Sequence, residues 1–366
     1  MQKKQKCTLI WFRNDLRISN NELLKKAVAT NKFLIAVYVF DTVFFQKQYS
    51  FVRTGKFRTR FLIETLVELE QKLSTYNIPL FVYTDVSSTV FKKLQNNFII
   101  ENLVYQEDNT FDEIRIENKV LKEFSNETQI VKVNNQYLYN PEQIDQVFKN
   151  GIPKSFSSFR KKVEKKLVVQ NNVTYQISSQ EKLYDSELDF PSIQACETPV
   201  FSAFPFKGGE DEALKRIDSY FFKTQAVKSY KFTRNQLLGL DYSTKFSSWL
   251  ANGSVSAKTV YWKLIEFENK IEKNVSTYWV YFELLWREFF KHTARFQRDN
   301  IFSLKGIQQK EISNRGKSDD VIQNWINGKT ASNFVNANMI ELKQTGWMSN
   351  RGRQNVASYF IHDLQQ

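Results

Sequence analysis

"CTLIWFRNDLRISNNELLKKAVATNKFLIAVYVF", residues 7–40, decides the fold. Its ends, "CTLIWF" (7–12) and "FLIAVYVF" (33–40), are short apolar runs without polar alternation, the pattern of strands covered on both faces. Between them "NELLKKAVAT" has helical spacing, with Ser19 or Asn20 placed to cap it. Strand, helix and strand in that order make a parallel pair joined by a crossover.

The unit repeats down the first third of the chain. "PLFVYT" (79–84) and "NLVYQ" (102–106) read as strands. "KFRTRFLIETLVELEQKLSTY", "SSTVFKKLQNN" and "FDEIRIENKVLKEF" read as helices, with Ser87 or Ser88 capping the second of these. Residues 1–140 are thus expected to form an α/β domain on a parallel sheet. No GxGxxG or Walker loop is present, so a ligand is expected at the carboxyl ends of the strands without those phosphate motifs. Residues 141–205 carry Pro141, Pro153, Pro191, Pro199 and Pro205 and read as a linker holding one short basic helix, "SFRKKVEKKL". From 206 to 366 the pattern is helical: "EDEALKRIDSYFF", "SAKTVYWKLIEFE", "STYWVYFELLWREFFKHTARF" and "DDVIQNWING".

The chain of 366 residues is 42% hydrophobic, 25% charged and 15% aromatic, with a formal net charge of +13. That balance excludes fibrous and disordered classes and favours an anionic partner such as nucleic acid, although a lysine-rich surface accounts for it equally. Two cysteines (Cys7, Cys196) and two histidines (His292, His362) give no metal set and fit a reduced, cytoplasmic setting. The first apolar run meets Arg13, Asp15 and Arg17 at once, so no leader is read, and no stretch is apolar enough for a membrane span.

Three clusters could carry chemistry. In "DYSTKFSSWL" (241–250), Ser243, Thr244, Lys245, Phe246 and Ser247 put hydroxyls, backbone donors and a cation into one loop before a helix, which suits a phosphate; a cap with a solvated lysine is the blander reading. In "YFELLWREFFKH" (281–292), Glu283 and Arg287 share a helical face with Trp286 and a dense aromatic wall, which suits a flat, partly polar ligand; an ordinary ion pair on a core helix is the alternative. In "GWMSNRGRQNVASYF" (346–360), Asn350, Arg351 and Arg353 open a helix, where cations are electrostatically misplaced.

Together these stretches resemble the photolyase/cryptochrome family. "LIWFRNDLRISNNELL" is similar to its opening, and "TRNQLLGLDYSTKFSSWLANGSVSAKTVY", "STYWVYFELLWREFFKH" and "GWMSNRGRQNVASYF" are similar to its helical flavin domain. "STYWV", "SNRGRQNVAS", "FSSFRKKVEK" and "FKGGEDEAL" resemble the cryptochrome DASH branch. The resemblance implies a Rossmann-like α/β domain followed by an all-α flavin-binding domain. It implies a bent FAD, with Tyr230 and residues 243–247 at its phosphates and Arg287, Asn350 and Arg353 near the flavin. Glu283 and Trp286 would act on a cyclobutane pyrimidine dimer flipped out of single-stranded DNA, with Lys291, Asn350 and Arg351 also contacting the DNA. A folate (methenyltetrahydrofolate) antenna would lie in the cleft between domains, with Glu113 and Glu117 as contacts. The implied activity is that of a deoxyribodipyrimidine photo-lyase; a non-catalytic remnant or a blue-light photoreceptor that binds DNA is the alternative, and a pterin- or nucleotide-binding α/β module a third.

The sequence departs from the family pattern near its end. Helices that would follow Gln366, with an acidic flavin loop and most of a tryptophan chain, are not in this sequence, and the helical domain is expected to be incomplete. Arg315 stands where another tryptophan is expected, "TASNF" (330–334) where Gly-Tyr-Pro follows a threonine, and Asn336 where an aspartate is expected.

Overall fold

A computed structural model describes residues 4–48, 51–149, 151–192, 199, 201–311 and 318–366; Cys196 and Arg315 lie outside the described residues. The chain opens with β1 (Gln5–Trp11), α1 (Glu22–Val28), β2 (Phe33–Val39), a short turn of helix α2 (Thr42–Phe45) and the hairpin strands β3 (Lys47–Gln48) and β4 (Phe51–Val52). It continues through α3 (Lys56–Ser74), β5 (Leu80–Tyr83), α4 (Ser87–Asn97), β6 (Phe98–Gln106), α5 (Phe111–Leu121) and β7 (Gln129–Val133). The main sheet runs β7-β6-β1-β2-β5-β8 with every pair parallel. The strands are apolar on both faces because both are covered. Ile10, Ala36, Leu80 and Val104 pack on α1 and α3, while Leu9, Val37, Phe81 and Leu103 pack on α4 and α5. The expected α/β domain is therefore what the first third folds into.

The caps fall elsewhere than the sequence predicts. Asn21, not Ser19 or Asn20, caps α1 by accepting from Leu23 N, because the Asn20 amide is spent on Ser256 and Asn172. Ser87 does not cap α4: its N–H and hydroxyl both go to Asp41 Oδ2, at 2.9 and 2.5 Å, so Val86 holds the cap position.

The proline-rich linker is more ordered than its composition implies. It contains α6 (Pro141–Val147), α7 (Phe156–Lys166) and β8 (Glu187–Leu188), which adds to the sheet beside β5. Gln180 ties it back by bonding both Leu34 N and Leu34 O. Ile144, Phe148, Phe156, Phe159 and Val163 join the core of the helical half.

That half contains α8 (Glu210–Asp218), α9 (Tyr230–Thr233), α10 (Ser247–Asn252), α11 (Ala257–Lys270), α12 (Val275–Gln297), α13 (Asp319–Ile326), α14 (Asn333–Thr345) and α15 (Asn350–Ser358). Fully buried Arg17 joins the two halves, donating to Gly253 O (2.9 Å), Asn20 O and Asn135. Gly208 and Gly209 let α8 close on α3: a Cβ at Gly208 would lie 2.1 Å from Phe61 O. Among the described residues no helix is long and apolar enough to cross a membrane, and no group of three metal-ligating side chains occurs.

Candidate functional site

The loop before α10 is organised by Arg216, which lies on the buried face of α8 with Ala213 and Ile217. Its guanidinium donates to Thr244 O (3.1 Å), Leu240 O (3.1 Å), Ser243 O (3.0 Å) and Asp241 Oδ1 (2.7 Å). The carbonyls are thus collected on the Arg216 side. The N–H groups of residues 243–248 donate to no protein acceptor among the described residues. Free donors in a row, at a loop leading into a helix, form an anion-binding concavity.

Lys245 completes it. The residue sits at φ +64, is 2% exposed, and its Nζ has no hydrogen-bond acceptor. Burial, with the Arg216 charge adding, pushes its pKa down to about 7. Aromatic faces compensate in part, with Nζ 3.3 Å from the Tyr242 ring centroid and 4.8 Å from that of Trp347, and the charges of Glu341 and Asp241 also oppose the shift. Trp347, in the turn between α14 and α15, donates Nε1 to Tyr242 OH (3.3 Å) and stacks on Phe204 at 4.8 Å. A buried cation beside unpaired N–H groups fits an anionic ligand such as a diphosphate.

The second cluster lies on one face of α12. Glu283 Oε1 accepts from Arg234 Nη1 at 2.9 Å. Burial raises the Glu283 pKa and Arg234 opposes the rise. Lys231 and Arg234 stand 4.7 and 5.7 Å from the Trp279 ring. Buried Tyr230 lies one turn before Arg234, and burial raises its phenol pKa, with the Glu283 charge adding. Asn235 accepts from Arg351 Nη2 (3.2 Å), which brings the first turn of α15 to the same loop. Trp286 stacks on Phe156 of α7, with centroids 3.7 Å apart, and lies 5.4 Å from exposed Phe290.

Two expected site residues have other partners. Arg287 donates to Gln136 O (2.8 Å), Glu288 Oε1 (3.1 Å) and Leu250 O (3.4 Å). Lys291 bonds the Gln136 side chain, and burial lowers its pKa to about 8. Both anchor the segment that leaves the α/β domain, because cations this enclosed need acceptors. Asn350 and Arg353 are exposed at the start of α15, where the Ser349 side chain is the cap and Arg353 Nε bonds Met348 O.

Arg216, Arg234, Asn235, Tyr242 and Trp347 were not among the residues the sequence marked. Arg216 carried a usable signal, an arginine in helical register with apolar neighbours. In the α/β domain a cavity of about 260 Å³ opens at the strand ends, lined by Trp11, Arg13, Tyr38, Arg53 and Glu113 among others. Glu117, in contrast, is committed to Arg13, Lys132 and Tyr105.

Residues 8–176 match the family model of DNA photolyase, and residues 279–366 match that of the FAD binding domain of DNA photolyase. The cryptochrome DASH of Danio rerio is 36% identical, with 96% of this chain and 70% of that protein aligned. That of Gloeobacter violaceus is 35% identical, over 98% and 73% respectively. The solved Synechocystis cryptochrome covers 100% of this chain and 76% of its own at a TM-score of 0.90 and 32% identity. An archaeal photolyase from Sulfolobus tokodaii, solved with two FAD molecules, shares the fold at a TM-score of 0.74 and 20% identity, over 98% of this chain and 75% of its own.

Proposed function

The chain belongs to the photolyase/cryptochrome family, in its cryptochrome DASH branch, and from that premise we propose that it holds FAD in its helical half and splits cyclobutane pyrimidine dimers in single-stranded DNA under light. The observation that carries the cofactor is the buried, acceptor-less Nζ of Lys245 beside the free N–H groups of its loop. A dry cationic cradle favours an anion, and the FAD diphosphate is one. Ser243, Thr244, Lys245, Phe246 and Ser247 are the residues to hold it, with Tyr230, Asn350 and Arg353 about the remainder. When bound and reduced, the flavin supplies the light-driven electron that opens the dimer.

The chain's own residues have simpler tasks. Trp279 and Trp286 belong to the aromatic wall beside Glu283 on which an extruded pyrimidine would stack; stacking contributes about 1–3 kcal/mol per base. That is comparable with the few kcal/mol that extrusion costs, a cost least in a single strand. The Glu283 carboxyl, its pKa raised by burial, is suited to hydrogen-bond the pyrimidine edge, with Arg234 holding it in place until substrate arrives. Arg351 is exposed beside this face for a phosphate. A folate antenna belongs to the same reading, with Glu113, whose carboxylate accepts from Thr110 Oγ1, lining the cavity for it.

The test is a dimer-containing single-stranded oligonucleotide incubated with the purified chain in blue light and in darkness, followed by chromatography. Light-dependent loss of dimers, with FAD released on heating, is expected. DNA binding and bound FAD without light-dependent loss would refute repair and leave a DNA-binding flavoprotein.

A further inference from the structure

We propose that one flank of α7 is a second nucleic-acid contact, a basic track for the phosphate backbone of a single strand that leaves the Glu283–Trp286 face. The inference rests on the reading that this face receives DNA.

The register of two helices carries it. Phe156 stacks on Trp286, Arg160 covers the Phe282 ring at 5.4 Å and donates to Tyr278 OH (2.6 Å), and Tyr278 OH donates to Glu164 Oε1 (2.7 Å). Steps of four up α7 (156, 160, 164) meet steps of four down α12 (286, 282, 278), so the helices lie antiparallel. Residues advance by about 100° each around a helix of 3.6 residues per turn. Placed on that wheel, Ser157, Lys161 and Lys165 fall on the side of the pair that also holds Trp279, Glu283 and Trp286. Lys162 and Lys166 fall on the other flank, where Lys162 Nζ stands 5.5 Å from the Phe148 ring.

The four lysines are exposed, and among the described residues none has a carboxylate within ion-pair distance. Glu164, the one acid on the helix, is engaged by Tyr278 and Arg160. The helix dipole favours Lys165 and Lys166, in the last turn, but gives no reason for Lys161 and Lys162. A membrane surface is the poorer partner, since interfacial helices present apolar side chains outward. Here Phe156, Phe159 and Val163 are all buried, and the outward positions hold serine and lysine. A phosphate chain needs nothing more than those cations.

The experiment compares the full chain with K161Q/K165Q and with K162Q/K166Q, which lose the same charge on opposite flanks. At 0.15 M salt the screening length is about 8 Å, so a flank can be read separately. Binding of labelled oligothymidylates of about 5 and about 20 nucleotides is followed by anisotropy across a salt series. K161Q/K165Q is expected to bind the long strand about tenfold more weakly at 0.15 M, with a log–log salt slope shallower by about 1.4, from about 0.7 per phosphate contact. It should bind the short strand as the unaltered chain does, and K162Q/K166Q should stay within about twofold on both. Equal losses in the two variants, an unchanged slope, or a short-strand loss as large as the long-strand loss would each overturn the track. So would a loss confined to phosphatidylserine vesicles, with oligonucleotide binding intact. If the unaltered chain binds neither oligonucleotide, the underlying reading of the Glu283–Trp286 face fails as well; intact short-strand binding isolates failure of the track alone.

Discussion

Lys245→Met should make the flavin-free protein more stable near neutral pH while weakening its hold on FAD. Lys245 is 2% exposed, lacks an acceptor, and has its pKa lowered from 10.5 to about 7 by burial first and by Arg216 second. At about 1.4 kcal/mol per pKa unit, keeping this group in the fold at pH 7 costs about 4 kcal/mol. The Tyr242 and Trp347 faces return about 1–2 kcal/mol of that, leaving a net cost of about 2–3 kcal/mol. The folded form binds fewer protons than the unfolded form between the two pKa values. Stability from this group is therefore present above pH 10.5 and lost as pH falls through 7. Methionine has similar length and no charge, so the variant removes the cost without opening a large cavity.

Urea denaturation of both flavin-free proteins at pH 7 and at pH 10 is the assay, because the difference between proteins cancels every other titrating group. The variant should be more stable by about 2–3 kcal/mol at pH 7, the advantage shrinking to under about 1 kcal/mol at pH 10. In FAD titrations the same variant should bind about 10- to 100-fold more weakly, from the loss of a charge-assisted hydrogen bond worth about 1.5–3 kcal/mol. A variant less stable by the same amount at both pH values would show that Lys245 is a structural cation already satisfied by its rings. The cradle argument would then fail.

Two further predictions follow from the packing of α8. Arg216→Met should lose about 3 kcal/mol of stability, the lower end for a broken buried pair because the Asp241 side chain keeps 42% exposure; it should weaken FAD at least about tenfold yet leave riboflavin, which lacks phosphates, unaffected in fluorescence titrations. Gly208→Ala should cost about 3 kcal/mol or more in urea denaturation, since its Cβ would meet Phe61 O at 2.1 Å and Thr65 N at 3.0 Å, backbone atoms that cannot swing aside.

Periodicity made most elements legible because each strand and helix must bury its own stripe, and the residues that do so are neighbours in sequence. β8 could not be read: two residues, Glu187 and Leu188, join the sheet only because Gln180 and Ser186 bring the linker back to β2 and β5. The caps failed for a related reason. Asn20 and Ser87 had the right chemistry, but Ser256 and Asp41, remote in sequence, claim their side chains. Among site residues, Glu283 and Lys245 could be marked by type and spacing. Neither the orphaned state of Lys245 nor the turning of Arg287 and Lys291 towards Gln136 could be, since both depend on which segment packs against them.

The stretch from Arg234 to Ser247 runs between the two clusters and bonds to both. Arg234 holds Glu283, Asn235 holds Arg351 of α15, Asp241 is held by Arg216 of α8, and Tyr242 meets Trp347 before α15. Leu238 is exposed at the loop's tip, and the loop takes its shape from these bonds, from the Arg216 bonds to Leu240 O, Ser243 O and Thr244 O, and from buried Tyr242 and Phe246. Arg351 shares the loop with Arg234, the partner that Glu283 must loosen to meet a base. The loop that would lie between a bound cofactor and a bound substrate is thus fixed towards α12 by the Arg234–Glu283 bond and towards α8 by the Arg216–Asp241 bond.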